Sequence, residues 1–434
     1  MGEDNKRAGL SFKDYQDLKV SVHRDLLNRV DLEKVVTLRD GRTRSQVLAI
    51  IQDLVAGLRV PMSAAERVRL ANEVLDEVFG LGPLEPLLQD PAVNDILVNG
   101  HKQVYVERAG ILEETNVMFK DDAHLMHIIE KIVGPLGRRI DESSPMVDAR
   151  LPDGSRINAI IPPLAIDGPA LSIRRFGRTP LTADDLIANR TMTQPMLDLL
   201  KGAVKARLSV LISGGTGAGK TTFLNVLSGY ISGRERIVTI EDSAELQLKQ
   251  RHVVRLECRP PNLEGQGAVK QRQLVINALR MRPDRIIVGE VRGEEVLDML
   301  QAMNTGHDGS LTTVHANSPR DAIARLETMA VMSNLHFPER AIRQQIASAI
   351  SIIVQIVRMS DGTRRVTHLT EITGMGEDVV SMQDIFVFEK QGVASDGRVI
   401  GTFSATGIRP RFAEKLSASG IAVPATLFEH AAPA

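Results

Sequence analysis

Between Leu208 and Leu227 the chain follows two rules in succession, and the switch between them leaves little freedom for the fold. Leu208-Ser209-Val210-Leu211-Ile212-Ser213 is mostly aliphatic, interrupted by the small Ser209. That composition suits a parallel strand covered on both faces, where no polar alternation is required. Gly214-Gly215-Thr216-Gly217-Ala218-Gly219-Lys220-Thr221 then fits G-x-x-x-x-G-K-[ST], and from Thr222-Phe223 onward apolar residues recur at helical spacing. Strand, glycine loop and helix in this order predict a phosphate cradle. Glycines let successive backbone N–H groups converge on an anion, and the following helix N-terminus adds partial positive charge. Lys220 supplies the full charge and is expected to bridge β- and γ-phosphates, with the Thr221 hydroxyl on Mg²⁺, an ion that prefers oxygen ligands.

At 434 residues the chain exceeds what one core organises, so two or three domains are expected. The formal net charge of −1 gives no global basic footprint for nucleic acid or anionic membrane. Cys258 is the one cysteine, which excludes an intrachain disulfide framework and a four-cysteine zinc module, and fits a reducing compartment. No apolar run approaches the roughly 20 residues that cross a bilayer, and the charged start Met1 to Arg7 is followed by no signal-peptide core. The expected location is cytoplasmic, with any membrane association arising through a partner.

Three domains are expected along the chain. Residues 1–80 read as a helical bundle with a frayed polar start. Tyr15, Leu18, Val22, Leu26 and Val30 mark a first stripe before Asp40-Gly41, a second helix spans about Ser45 to Leu58, and Ser63 with Glu66 opens a third through a capping box. Its stripe is read as Val68, Ala71, Leu75, Val78 and Phe79. Residues 81–178 read as an α+β domain. Strands at Asp95–Gly100 and Gln103–Glu107 turn at Asn99-Gly100, a helix covers about Asp122 to Val133, two strands meet at Pro152-Asp153-Gly154, and Leu171–Phe176 closes the domain. A linker at Gly177-Arg178-Thr179-Pro180 leads to residues 179–434, whose regular βα alternation predicts a parallel α/β sheet with strands at Leu208–Ser213, Arg236–Ile240, Val253–Leu256, Arg285–Val288, Gly309–Thr313 and Ile352–Val357. Arg358 to Val366 reads as a hairpin turn, with further short strands in the tail.

Four more groups are candidates for chemistry. Arg285-Ile286-Ile287-Val288-Gly289-Glu290 ends an apolar strand in a carboxylate, so Glu290 is placed to polarise an attacking water or to hold Mg²⁺ through water. Glu241, Asp242 and Glu245 follow the second strand, where acids can arrange the metal's hydration shell or the water; capping of a following helix by Asp242 or Ser243 is the rival reading and is compatible with the first. His307 and His315 flank the fifth strand, each able to donate a hydrogen bond to a γ-phosphate. Without a cysteine partner or an H-E-x-x-H pattern, zinc is discounted. Arg150, Arg156, Arg174 and Arg175 lie on strands just upstream of the cradle, either on solvated faces or as phosphate contacts.

Gly214–Thr222, Glu241–Glu245, Val288-Gly289-Glu290-Val291-Arg292 and Thr305-Gly306-His307 through His315-Ala316-Asn317 resemble, in order, the Walker A, Asp, Walker B and His boxes of the secretion-system traffic ATPases, which drive type II and type IV secretion and type IV pili. Within that superfamily Leu81-Gly82-Pro83-Leu84, Val93 to Gly100, Asp148 to Arg156 and Gly407-Ile408-Arg409-Pro410 look most like the tight-adherence (Tad) pilus motors. The resemblance implies a RecA-like ATPase domain under a PAS-like α+β domain, ATP with Mg²⁺, and a homohexameric ring docked on an inner-membrane platform of the pilus assembly machinery that powers extension and retraction. It further implies that Gly214, Gly215, Thr216, Gly217, Ala218, Gly219, Lys220, Thr221 and Thr222 hold the nucleotide, that Glu290 is the catalytic glutamate, that Glu241 assists with metal and water, and that Arg156 and Arg174 reach the phosphates. Type II relatives carry a tetracysteine module, which Cys258 alone cannot build, and Ser243 stands where those relatives often have proline. A nucleic-acid translocase on the same loop would want a basic groove or stacking platform, and with aromatics at 3% neither is apparent. A nucleotide-gated scaffold without turnover is disfavoured by the intact acids.

Overall fold

A computed structural model describes residues 12–30, 41–108, 110–151, 153–175, 180–261, 266–333 and 337–429. The polar start, Asp40, Pro152, Phe176, the linker residues 177–179 and the last five residues lie outside the described residues. The chain divides into two units, Met1–Arg178 and Thr179–Ala434.

The first unit has two cores. Helices Phe12–Leu27, Gly41–Ala56 and Ala64–Phe79 pack Val22, Leu26, Val47, Ile51, Leu70 and Val74 together. The capping box forms as expected, Ser63 Oγ accepting from Glu66 N–H while the Glu66 carboxylate accepts from Ser63 N–H at 2.7 Å. The third stripe is offset from the spacing reading: Val68 is 54% exposed, and Leu70 and Val74 are buried instead. The inward position of that first turn belongs to Arg67, whose guanidinium donates to the Val55 and Val60 carbonyls.

Beyond the bundle, β1 (Val93–Asn99), β2 (Gln103–Arg108), β3 (Ile111–Glu114), β4 (Met146–Arg150), β5 (Arg156–Ile160) and β6 (Ala170–Arg174) form an antiparallel sheet in the order β3-β2-β1-β6-β5-β4. Ile96, Val98, Val104, Ile157 and Ile173 share a core with Leu125, Ile128 and Ile129 of helix Asp122–Val133. Strand β3 escapes the sequence reading because all four of its residues are exposed at an edge, without the alternation that betrays a half-buried strand.

A buried node ties this helix to the bundle. Lys19 Nζ lies 2.7 Å from Glu77 Oε1, His124 Nε2 lies 3.0 Å from Glu77 Oε2, and Lys131 Nζ donates to the Glu77 carbonyl at 2.7 Å. Burial alone would raise the Glu77 carboxyl, but His124 and Lys19 outweigh it and hold the group down at about 2.

In the second unit, β7 (Val210–Gly214), β8 (Ile237–Glu241), β9 (Val253–Glu257), β10 (Arg285–Val288), β11 (Leu311–Val314) and β12 (Ile352–Arg358) run parallel, and β13 (Arg364–Gly376), β14 (Val379–Val393) and β15 (Val399–Ala405) continue the sheet antiparallel in the order β15-β14-β13-β12-β7-β11-β10-β8-β9. The sheet separates two cores, because alternate residues of one strand face opposite sides. Val210, Ile212, Ile352 and Val354 meet helices Gln194–Lys205 and Lys220–Ser228, whereas Leu211 and Ile353 meet helices Glu295–Asn304, Pro319–Met332 and Glu339–Ala349. This is the expected RecA-like α/β arrangement. Two expectations are corrected. No helix joins β8 to β9, so Asp242 and Ser243 cap nothing, and the tail strands are long rather than short, β13 and β14 spanning 13 and 15 residues.

The Glu77 node makes a testable demand. Its folded value lies below the 4.5 of an unperturbed glutamate, so its stabilisation is fully present above about pH 4.5 and is lost as pH falls toward 2. Glu77→Gln leaves buried Lys19 with only the more distant Glu73 carboxylate at 3.9 Å, and amide protection in Ala64–Phe79 and Asp122–Val133 should fall by about 3 kcal/mol at neutral pH. Hydrogen exchange indistinguishable from wild type in both helices would show that the node does not hold them.

Candidate active site

Every principal candidate in the second unit sits at the carboxyl end of a parallel strand, where open α/β sheets place their ligands. Strand β7 is buried along its whole length and ends at Gly214. A side chain there would collide with the Ile356 carbonyl of β12, the register partner of Gly214, so the close pairing of the two strands requires glycine. The loop turns through Gly219, at φ 95°, directly into helix Lys220–Ser228. Lys220 is the first helical residue and is only 7% exposed.

The Lys220 ammonium is held over the loop by the Gly215 carbonyl and the His315 ring. Nζ donates to the Gly215 carbonyl at 3.1 Å and lies 3.1 and 3.4 Å from the His315 ring nitrogens Nε2 and Nδ1. His315 follows the last residue of β11, and its Nε2 lies 3.0 Å from Glu290 Oε1, two residues past the end of β10. The network assigns the proton: a neutral ring with hydrogen on Nε2 donates to Glu290 and leaves Nδ1 to accept from Lys220. Burial and the Lys220 charge both push the His315 pKa below its usual value, keeping the ring neutral near pH 7.

Arg292 is the residue whose role the sequence did not disclose. Its Nε lies 3.1 Å from Glu290 Oε1, Nη2 donates to Glu290 Oε2 at 3.2 Å, and Nη1 donates to Asp242 Oδ2 at 3.0 Å. Burial by itself would raise the Glu290 carboxyl; Arg292, His315 and Lys220 overcome it and keep the group ionised below the usual carboxylate range. Glu295 fixes the turn that delivers Arg292, its Oε1 accepting from the N–H groups of Arg292 and Gly293 at 2.6 and 2.9 Å, and Gln271 Nε2 donates to the Glu290 carbonyl at 2.7 Å. Gln271 comes from elsewhere in the chain, and only Glu295, three residues after Arg292, offered a local signal.

Glu241 closes β8 and is 3% exposed. Its Oε2 accepts from Glu245 and Leu246 N–H at 2.6 and 2.9 Å, while Oε1 is buried with no hydrogen-bond partner among the described residues. Burial drives this carboxyl upward against those two amides. It lies beside the Glu290 strand end, since a Cβ on Gly289 would come within 2.9 Å of Glu241 Cγ. The orphaned oxygen fits a metal-bound water, and the Thr221 hydroxyl in the first helical turn offers a second hard ligand.

His307 stands apart. It precedes β11 as His315 follows it, so the two lie at opposite ends of that strand, and His307 Nδ1 approaches the Pro283 carbonyl at 3.0 Å. Its neighbours belong to a closed polar cluster in which fully buried Arg285 pairs with Glu235 at 2.8 and 3.0 Å. The expectation that His307 senses a γ-phosphate is therefore corrected. In the first unit, Arg150 Nε donates to the Gly154 carbonyl and Arg175 to the Asp90 and Val93 carbonyls, while Arg156 and Arg174 are register partners on β5 and β6, with Arg174 paired to Asp95 at 3.2 Å.

The network predicts that a ring-NMR titration will place His315 below the usual histidine range, and that Lys220→Ala will shift it upward by removing the adjacent cation. A titration unmoved by that substitution would break the proposed contact.

Residues 77–398 match the family described as type II/IV secretion system protein. The chain is similar to a putative conjugal transfer protein of Mycobacterium tuberculosis, 38% identical over 333 residues that cover 71% of this chain and 94% of the relative. It is 32% identical over 292 residues to the conjugal transfer protein TrbB of Rhizobium radiobacter, covering 66% and 86% respectively. To the type IV secretion system protein PtlH of Bordetella pertussis it is 35% identical over 316 residues, covering 66% and 92%.

Proposed function

The chain belongs to the type II/IV secretion system protein family, and on that premise we propose that it hydrolyses ATP to drive a secretion or pilus machine. The observation that carries the reading is the chain of contacts from Lys220 through His315 to Glu290, which joins the glycine loop to an ionised strand-end carboxylate. Backbone N–H groups of Gly215 to Thr221 would wrap the phosphates, and Lys220, now resting on Gly215 and His315, would turn to the β- and γ-oxygens. Thr221, with Glu241 and Glu290 through water, would hold the Mg²⁺ that neutralises charge on those oxygens. Glu290, kept ionised, would accept a proton from the attacking water once Arg292 yields one of its oxygens, and neutral His315 would orient the carboxylate. Arg156 and Arg174 are proposed as further phosphate contacts, tested by the loss of ATP affinity in their alanine variants.

More finely, we propose a tight-adherence pilus motor working as a homohexamer on a membrane platform. The motifs at Leu81–Leu84, Val93–Gly100 and Asp148–Arg156 support it. A second reading, a type IV or conjugal secretion motor, is favoured by the names of the relatives above. Among the described residues no helix is long and apolar enough to cross a membrane, so a platform partner would supply the attachment.

Phosphate release should fall by at least about a hundredfold in Lys220→Ala. Glu290→Gln should bind ATP as wild type does while losing about 10²–10⁴-fold in turnover. Undiminished hydrolysis in either variant would defeat the assignment. In cells carrying Lys220→Ala, loss of surface pili with intact DNA or effector transfer supports the pilus reading, and the reverse supports the secretion reading.

A further inference from the structure

Two arginines outside every motif lie against the glycine loop. Strand β12 pairs with β7 from Ile352↔Val210 to Ile356↔Gly214, and two residues later Arg358 faces its register partner Arg364 across the β12–β13 hairpin. A Cβ built on Gly217 would lie 3.3 Å from Arg358 Nη1, and one on Gly219 would lie 3.9 Å from Arg364 Cγ. Both side chains therefore border the part of the loop whose amides would face phosphate.

The hairpin that carries them is pinned. Met359 N–H donates to the Thr363 carbonyl at 2.7 Å, and Asp361 accepts from Thr363 N–H and Oγ1 through Oδ1 and from the Val399 N–H of β15 through Oδ2 at 2.8 Å. Arg365, next in sequence, turns away to the Asn189 carbonyl at 3.0 Å. The hairpin backbone is thus held by the framework of the sheet, with Arg358 Nη1 beside Gly217, and Arg364 beside Gly219 through Cγ while its Nη1 donates to the Gly362 carbonyl of the same turn at 3.3 Å.

Sheet order gives them a different task from that of Lys220. On one side of β7 stand β11 and β10, bearing His315 and Glu290, and Lys220 Nζ reaches toward that side. On the other side stands β12, bearing Arg358. A triphosphate whose β- and γ-groups meet Lys220 and the carboxylate must direct its α-phosphate toward β12. We infer that Arg358 and Arg364 grip the α-phosphate of the bound nucleotide, making the β12–β13 hairpin a clamp for the nucleoside half. A guanidinium fork matches phosphate oxygens and keeps its charge at any working pH.

This rests on the ATP-hydrolysing reading above, and calorimetry separates the two. Titrating the full chain with Mg·ADP and with Mg·pyrophosphate, Arg358→Gln and Arg364→Gln should each weaken ADP binding by about tenfold, as expected for a lost charge-assisted hydrogen bond. Pyrophosphate, which has no α-group beyond the Lys220 subsite, should bind as to wild type. Arg358→Lys should recover part of the ADP affinity by restoring the charge without the fork. Unchanged ADP affinity in both glutamine variants would overturn the inference. So would an equal loss for pyrophosphate, because the arginines would then merely shape the loop. A wild-type chain binding neither ADP nor ATP would instead overturn the parent reading, and the clamp with it.

Discussion

The parallel pairing of β7 between β11 and β12 is the constraint on which the rest of the second unit depends. Its residues are buried on both faces, Val210 and Ile212 in one core and Leu211 in the other. A slip of one residue would exchange those faces, so the register is fixed by packing on both sides at once. That register sets where the glycine loop emerges, and therefore which groups of the neighbouring strands it meets. Val314 pairs with Ser213, which brings His315 beside the loop, and Ile356 pairs with Gly214, which brings the β12–β13 hairpin to its other side.

Charge at this end of the sheet is arranged as a chain of opposites. Lys220, neutral His315, Glu290, Arg292 and Asp242 follow one another at hydrogen-bond or ion-pair distance. Partly removed from water, such contacts are stronger than at a free surface. Arg292, His315 and Lys220 keep Glu290 ionised despite its burial, and burial together with the Lys220 charge keeps His315 neutral. On the proposed function, an arriving phosphate would compete for the Lys220 ammonium, and its withdrawal from His315 would change the surroundings of Glu290.

Much of this was legible in the sequence, for reasons that also explain what was not. The strand–glycine–lysine segment is local: backbone geometry, charge and helix start lie within a few residues, so its place could be read directly. Strand ends at Glu241 and Glu290 follow from apolar runs that stop at a carboxylate. Val68 was misassigned because in the first turn of its helix the inward direction points at a loop, which Arg67 reaches through its long side chain. His307 and His315 looked equivalent because both flank one strand, but flanking says nothing about which end of a parallel strand faces the ligand. The nearness of Arg358 and Arg364 to the loop could not be read locally, because strand pairing across more than a hundred residues brings them there and no local pattern encodes that pairing.

The two ends of the sheet show why one charged cluster is a site and the other a brace. At the amino end Arg285 is 0% exposed, Glu235 meets it through both carboxylate oxygens, Arg207 adds a contact at 3.0 Å, and the Gly309 carbonyl accepts from Nη1. Glu235, although partly buried, is held below the usual carboxylate range by these arginines against the opposing effect of desolvation. Its polar groups are matched to one another, and breaking the pair would strand a buried guanidinium, which is a stability cost rather than a chemical opportunity. At the carboxyl end the same residue types are not matched in this way: Glu241 buries an oxygen with no hydrogen-bond partner among the described residues, and Lys220 rests on a neutral ring and a carbonyl. Identical chemistry closed on itself stabilises; a buried carboxylate oxygen left without a hydrogen bond is what a ligand site can use.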